Sequence, residues 1–377
     1  MDVQKLTATE DTGPVRLVDL RDAPARENHL WPVHIVRRAE IEHALGLLAE
    51  GEPGADGCRE FSVVHPNSVE PGLGLAPGID VVFGVLLPGE ETVPVRHNAS
   101  SVSMCLSGHG VTDIDESAFA TGFRDVWVTP SMSPFVLRNP GDEPFIYLTY
   151  SNRPMLRKLE VYFREEKPPV GVQAPAVDTP TGGRVKDLAP GFPIGDSGAW
   201  LLPYEHLIDP EFVESRPLLW KWQDVAPHLG LLKSLKTGYT GRPLMCLYNP
   251  ATGTRNGTTA NFFATISNGS ANLIGPAHRH SSAAINYILD GSGWSVVDGV
   301  RIDWEAGDIM LSAPGWAPHG HARGPEGASI LTIQDHPLQI ASESLVWQED
   351  LEDGPILSLG KQAGFQTNLS QFLADTE

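Results

Sequence analysis

Cysteine is scarce in this chain. Cys58, Cys105 and Cys246 are its only three in 377 residues, too few and too scattered for a disulfide frame or a zinc knuckle. Basic charge is also short: 27 Lys and Arg stand against 47 Asp and Glu, a formal net charge of −20. Such a surface repels phosphate backbones and acidic lipid, so neither nucleic acid nor membrane is expected as a partner. No apolar run reaches the ~18 residues a membrane span needs. The opening MDVQKLTATEDTG lacks a signal-peptide core, which makes the cytoplasm the expected location. What the chain does have is 41% apolar residues, enough for a globular core. Its 38 glycines and 32 prolines exceed the ordinary share of ~12% and point to many short strands joined by tight turns.

The texture changes along the chain. Residues 1–58 read as a polar arm followed by one amphipathic helix over 35–50, with Ile41, Leu45 and Leu48 at helical spacing. Residues 59–166 carry short β-branched runs such as DVVFGVLLPGE and DVWVTPS, broken by Gly, Pro and Asp. The Pro- and Gly-rich stretch 167–214 reads as a linker. Residues 215–340 begin with a helical stretch expected to break at Pro227. They then return to strands, including the hairpin WSVVDGVRIDW with an Asp298-Gly299 turn. Residues 341–377 are a mixed tail.

A repeat links the two strand-rich halves. RHNASSVSMCLSGHG (96–110) aligns without a gap over RHSSAAINYILDGSG (279–293), and RDVWVTPSMSPF (124–135) answers GDIMLSAPGWAPH (307–319) with one insertion. Two copies of one all-β domain, each a sandwich or barrel, fit this pattern.

The second copy holds His278, His280, His319 and His321. Residues i and i+2 of a strand share a face, so His278 and His280 can point into one barrel. A separate strand brings up His319. Three imidazoles on one side of a metal leave positions open for substrate and oxygen. An HxH pair alone is a weak signal; two clusters on neighbouring strands are a stronger one. His321 is an alternative ligand to His319, or an acid/base beside it. The first copy has Val95-Arg96-His97 and Phe135 at the matching places, and one imidazole does not hold a metal.

The second copy resembles a cupin, and the chain is similar to a bicupin: two double-stranded β-helix barrels with a few peripheral helices. In the first cupin motif the spacing runs His278, His280, Ala284, Gly291, with the usual Glu replaced by Ala284. In the second motif His319 matches, while the usual Gly and Asn positions hold Trp316 and Arg323. A three-His cupin of this kind resembles the gentisate, salicylate and 1-hydroxy-2-naphthoate dioxygenases, as do RPLLWKW (216–222), NPATG (249–253), AHRHSSAA (277–284) and Asp335 before Pro337.

The resemblance implies an Fe(II) centre on His278, His280 and His319, with Mn, Ni or Zn left open. It implies an extradiol-type ring-cleaving dioxygenase acting with O2 on a small ortho-hydroxy aromatic acid, in a homo-oligomer, a dimer or tetramer. His321 and Asp335 take catalytic and orienting roles in this reading, and Asn286, Ser267, Phe263 and Trp316 shape the substrate pocket. Two departures stand out. The family's carboxylate-gripping Arg position holds Asn286, and a substrate-contacting Gln position holds Ser267. Alternatives are an Fe(II) cupin oxygenase with a substrate that has no carboxylate, and a non-catalytic bicupin that binds a ligand.

Overall fold

The structure, a computed structural model, describes residues 29–168, 191–204, 215–233, 239, 241–362 and 364–369. Most of the expected N-terminal arm, much of the linker and the end of the tail lie outside these residues. Two all-β barrels dominate. The first faces a six-stranded sheet against a five-stranded one. The second is built on a seven-stranded sheet and a three-stranded one. No helix among the described residues is long and apolar enough to cross a membrane.

Burial explains the sequence texture. The strand Asp80–Leu86 is buried at all seven positions, because one face lines the first barrel and the other meets the second. On one side Leu86, Cys105, Trp127, Phe145 and Tyr147 fill the first barrel. On the other, Phe83, Val85, Val102 and Leu148 join Ala264, Ile266, Ile285 and Leu331 of the second half in one continuous core. A strand covered on both faces reads as an unbroken apolar run rather than an alternation. Each fully buried Leu, Ile or Phe contributes roughly 1.5–3 kcal/mol, so the seam between the barrels is a main source of stability.

The halves also exchange edges. His34–Val36, from the N-terminal arm, pairs with Ile309–Ala313 of the second barrel. Leu218–Trp220, from the start of the second half, pairs with Val126–Thr129 of the first. The expected boundaries at 58 and 215 are therefore crossed in both directions, and each exchanged strand covers a sheet edge that would otherwise be exposed. The expected helix over 35–50 begins at Arg38, after that strand, and runs to Glu50. The Asp308 carboxylate of the second barrel accepts from the Arg38 backbone N–H at 2.9 Å at its start.

Pro227 does not break its helix, which spans Trp222–Lys233. Asp125 of the first barrel accepts from the Trp222 N–H at 2.7 Å, satisfying a donor at the helix start and offsetting the bond lost at proline. The Asp298-Gly299 turn has the two positive φ angles expected of it, 49° and 77°.

Candidate metal centre

His278 and His280 sit at and within the short strand Arg279–His280. His319 opens the long strand His319–Gln334. His278 and His319 are bridged backbone to backbone, their N–H and C=O groups exchanging bonds of 2.9 and 3.0 Å. This pairing fixes two of the imidazoles, and the i+2 spacing adds the third. One potential ligand atom from each of the three rings lies within 4.8 Å of the others. All three rings are buried.

Each ring is oriented from its own strand. His278 Nδ1 faces the Pro276 carbonyl at 3.4 Å, His280 Nδ1 the Ser282 carbonyl at 2.8 Å, and His319 Nδ1 the Ala317 carbonyl at 2.9 Å. A carbonyl only accepts, so each Nδ1 carries the proton and each Nε2 presents a lone pair. Burial, with help from the neighbouring imidazoles, holds His278 and His280 well below the usual histidine range. Burial, with a smaller push from the Arg242 charge, carries His319 down to about 4. The rings are neutral at pH 7, the form that binds a cation. This donor set fits a divalent metal: three neutral imidazoles, no carboxylate, and a cavity in front of them.

That cavity has a volume of about 460 Å³, within the range of small-molecule pockets. His278, His319 and His321 open onto it, as do Phe263, Ser267 and Asn286. Trp316 is not among the lining residues; its ring packs under the Arg279 guanidinium at 4.6 Å. Asp335 makes no bond to an imidazole. It accepts from the Ala283 N–H at 2.8 Å and so holds the turn that follows His280, while backbone carbonyls orient the rings. Burial raises its acid to about 6. Asn286 Oδ1 accepts from Thr332 Oγ1 at 2.8 Å.

His321 is fixed by a chain of hydrogen bonds. Trp304 Nε1–H donates to Ser295 Oγ at 2.9 Å, and Ser295 Oγ meets His321 Nδ1 at 2.7 Å. The indole N–H takes one serine lone pair, and among the described residues the serine proton has no acceptor other than His321 Nδ1, which leaves the His321 proton on Nε2. In that tautomer Nε2 presents a hydrogen on the side of the ring that opens onto the cavity.

Several site residues carry no sequence signal of their own. Trp347, in the expected tail, stacks on His280 at 4.7 Å and on His278 at 5.2 Å. Arg242 lies over Trp347 and is held by both oxygens of Glu349 at 2.8 and 2.9 Å. His336 meets Phe263 edge-on at 4.9 Å. None belongs to a cupin motif, and each reaches the site through a fold-dependent contact.

The fold and the site together define a bicupin with a three-histidine centre in its second barrel. The sequence profile of the cupin domain matches residues 271–334. The chain is similar to 1-hydroxy-2-naphthoate 1,2-dioxygenase of Nocardioides sp. (strain KP7), 26% identical over 74% of this chain and 68% of that protein. It is also similar to a gentisate 1,2-dioxygenase of Streptomyces sp., 32% identical over 28% of this chain and 30% of that one. Among solved structures, salicylate 1,2-dioxygenase from Pseudoaminobacter salicylatoxidans with gentisate shares the fold, with a TM-score of 0.69 and 15% identity over 88% of each chain.

Proposed function

We propose that the protein is an Fe(II)-dependent ring-cleaving dioxygenase acting on an ortho-hydroxy aromatic acid of the gentisate and salicylate type. The observation that carries this reading is the convergence of three neutral, backbone-oriented imidazoles beside a cavity onto which His278 and His319 open. The activities of the relatives named above point the same way. When bound by His278, His280 and His319, iron supplies a Lewis-acid seat for the substrate's carboxylate and ortho oxygen and a redox partner for O2. Zinc lacks that second property, so iron is preferred. Both atoms of O2 enter the product as the ring opens between the carboxyl-bearing and hydroxyl-bearing carbons.

The chain's own residues bind and orient. Phe263 and Ile330 offer apolar walls to the ring. Asn286, with its Oδ1 engaged by Thr332, has its amide N–H groups left to donate to a substrate oxygen. His321 Nε2–H is a second donor, stabilising negative charge that develops on oxygen. Arg242 is already neutralised by Glu349 and steadies Trp347 over the ligand rings. A homo-oligomer, a dimer or tetramer, belongs to the same reading. It is supported by the hairpin of Phe192–Ile194 and Ala199–Leu201, whose Phe192, Ile194, Trp200 and Leu201 are all exposed; exposed apolar surface of this kind marks an interaction site. A cytoplasmic location is in keeping with three free cysteines.

The test is metal analysis followed by anaerobic titration. Purified protein should carry close to one iron per chain, and His278→Ala should carry almost none. Salicylate or gentisate should perturb the iron spectrum, and air should then release a ring-opened acid. A metal-free wild-type protein, or one inert to every ortho-hydroxy acid, would refute the proposal.

A further inference from the structure

Arg323 takes no part in the chemistry above. It follows His319 and His321 in two-residue steps along one strand, so it faces the same barrel interior, and it lines the same cavity. Its Nη2 donates to Ser267 Oγ at 2.9 Å, and its guanidinium lies 5.7 Å from the Trp304 ring centre. Its Nε is shut off from solvent and has no acceptor. Arg242 has Glu349 for a partner, but no described residue lining the cavity is acidic. A guanidinium stays charged in a protein, and leaving it half-buried with a shut-off N–H and no anion beside it is costly. Burial lowers its pKa to about 10, a sign of how poorly the charge is compensated.

Its position sets the kind of anion. Arg323 stands four residues beyond His319, or ~13 Å along the strand. Ser267 stands four residues beyond Phe263 on the neighbouring strand, and Phe263 abuts His336 near the metal end. Two strands therefore place the Arg323–Ser267 pair at the end of the cavity away from the triad. Gly269 makes room for it: a Cβ there would come within 2.9 Å of Arg323 Nε.

We infer that Arg323 and Ser267 form an anion subsite remote from the metal, and that the substrate is an ortho-hydroxy aromatic acid bearing a second carboxylate across the ring from its metal-binding pair. The inference rests on the dioxygenase reading above and adds a substrate class to it. Charge supports it. Three neutral imidazoles leave a divalent cation to be balanced by the substrate's own carboxylate and phenolate, and Arg323 then calls for one further anion.

The test compares salicylate with 2-hydroxyterephthalate on the iron-loaded protein, by anaerobic calorimetry. Wild type should bind the dicarboxylate at least about tenfold more tightly, the gain expected of one charge-assisted contact. Arg323→Gln should bring that ratio to within about threefold at unchanged iron content. Arg323→Lys, which keeps the charge without the fork, should fall between them. Should Arg323→Gln fail to fold, Ser267→Ala, which frees the guanidinium, should still lower the ratio. A wild-type ratio near one overturns the subsite, as does a ratio that survives both the Gln and Ala variants. Ring opening in air is scored separately: salicylate opened without dicarboxylate preference overturns the subsite alone, and failure to bind or open either acid overturns the dioxygenase reading with it.

Discussion

At the scale of single residues, the site is prepared before any ligand arrives. Each triad imidazole gives its Nδ1 proton to a carbonyl two residues away, so no reorganisation is needed to present the Nε2 lone pairs. The same economy governs His321. Ser295→Ala removes the hydroxyl that fixes its tautomer, and kcat for ring opening should fall about tenfold or more while iron content and the KM for substrate stay close to wild type; single-turnover and steady-state kinetics would separate the two. In the first barrel, burial, reinforced by Arg153, pushes His97 down to about 4, below its ordinary ~6.5. The fold holds the neutral ring, so this contribution is complete above ~6.5 and drains away as pH falls toward 4. His97→Gln should flatten the melting temperature over that window. Asp335 runs the opposite way: its raised value makes its contribution full at low pH and lost as pH climbs through 6.

At the scale of elements, much was legible in the sequence. The strand-rich texture, the aligned repeats, the HxH pair and the turn at Asp298-Gly299 each rest on local chemistry, and local chemistry is written in consecutive residues. The exchanged strands His34–Val36 and Leu218–Trp220 were not legible, because three residues carry no period and their pairing is decided by which edge lies open. Nor was Val346–Gln348. This strand pairs with Arg279–His280 and so sets Trp347 against the ligand rings, a contact visible only in the folded chain. Partners that orient metal ligands commonly govern affinity by about 10–100-fold. Trp347→Ala should therefore release iron to a competing chelator at least about tenfold more readily, with far-UV circular dichroism unchanged. Arg323 shows the opposite case: it stands in a motif position, yet its meaning depends on an unpartnered N–H donor that only the packed barrel reveals.

At the scale of the whole molecule, the two barrels are one design used twice. Val95 pairs with Phe135 as His278 does with His319. His97 Nδ1 meets the Ala99 carbonyl at 2.9 Å as His280 meets that of Ser282. The Phe135 and His97 rings keep an edge-on contact of 5.4 Å, close to the 4.7 Å between His319 and His280. The first barrel thus has the backbone scaffold of the second barrel's site with one of its three imidazoles, and a cavity of about 280 Å³ opens beside it. Val95→His together with Phe135→His should rebuild it, and the double variant should take up nearly two metal ions per chain where wild type takes one. Two codons are then the whole distance between one inward imidazole and three.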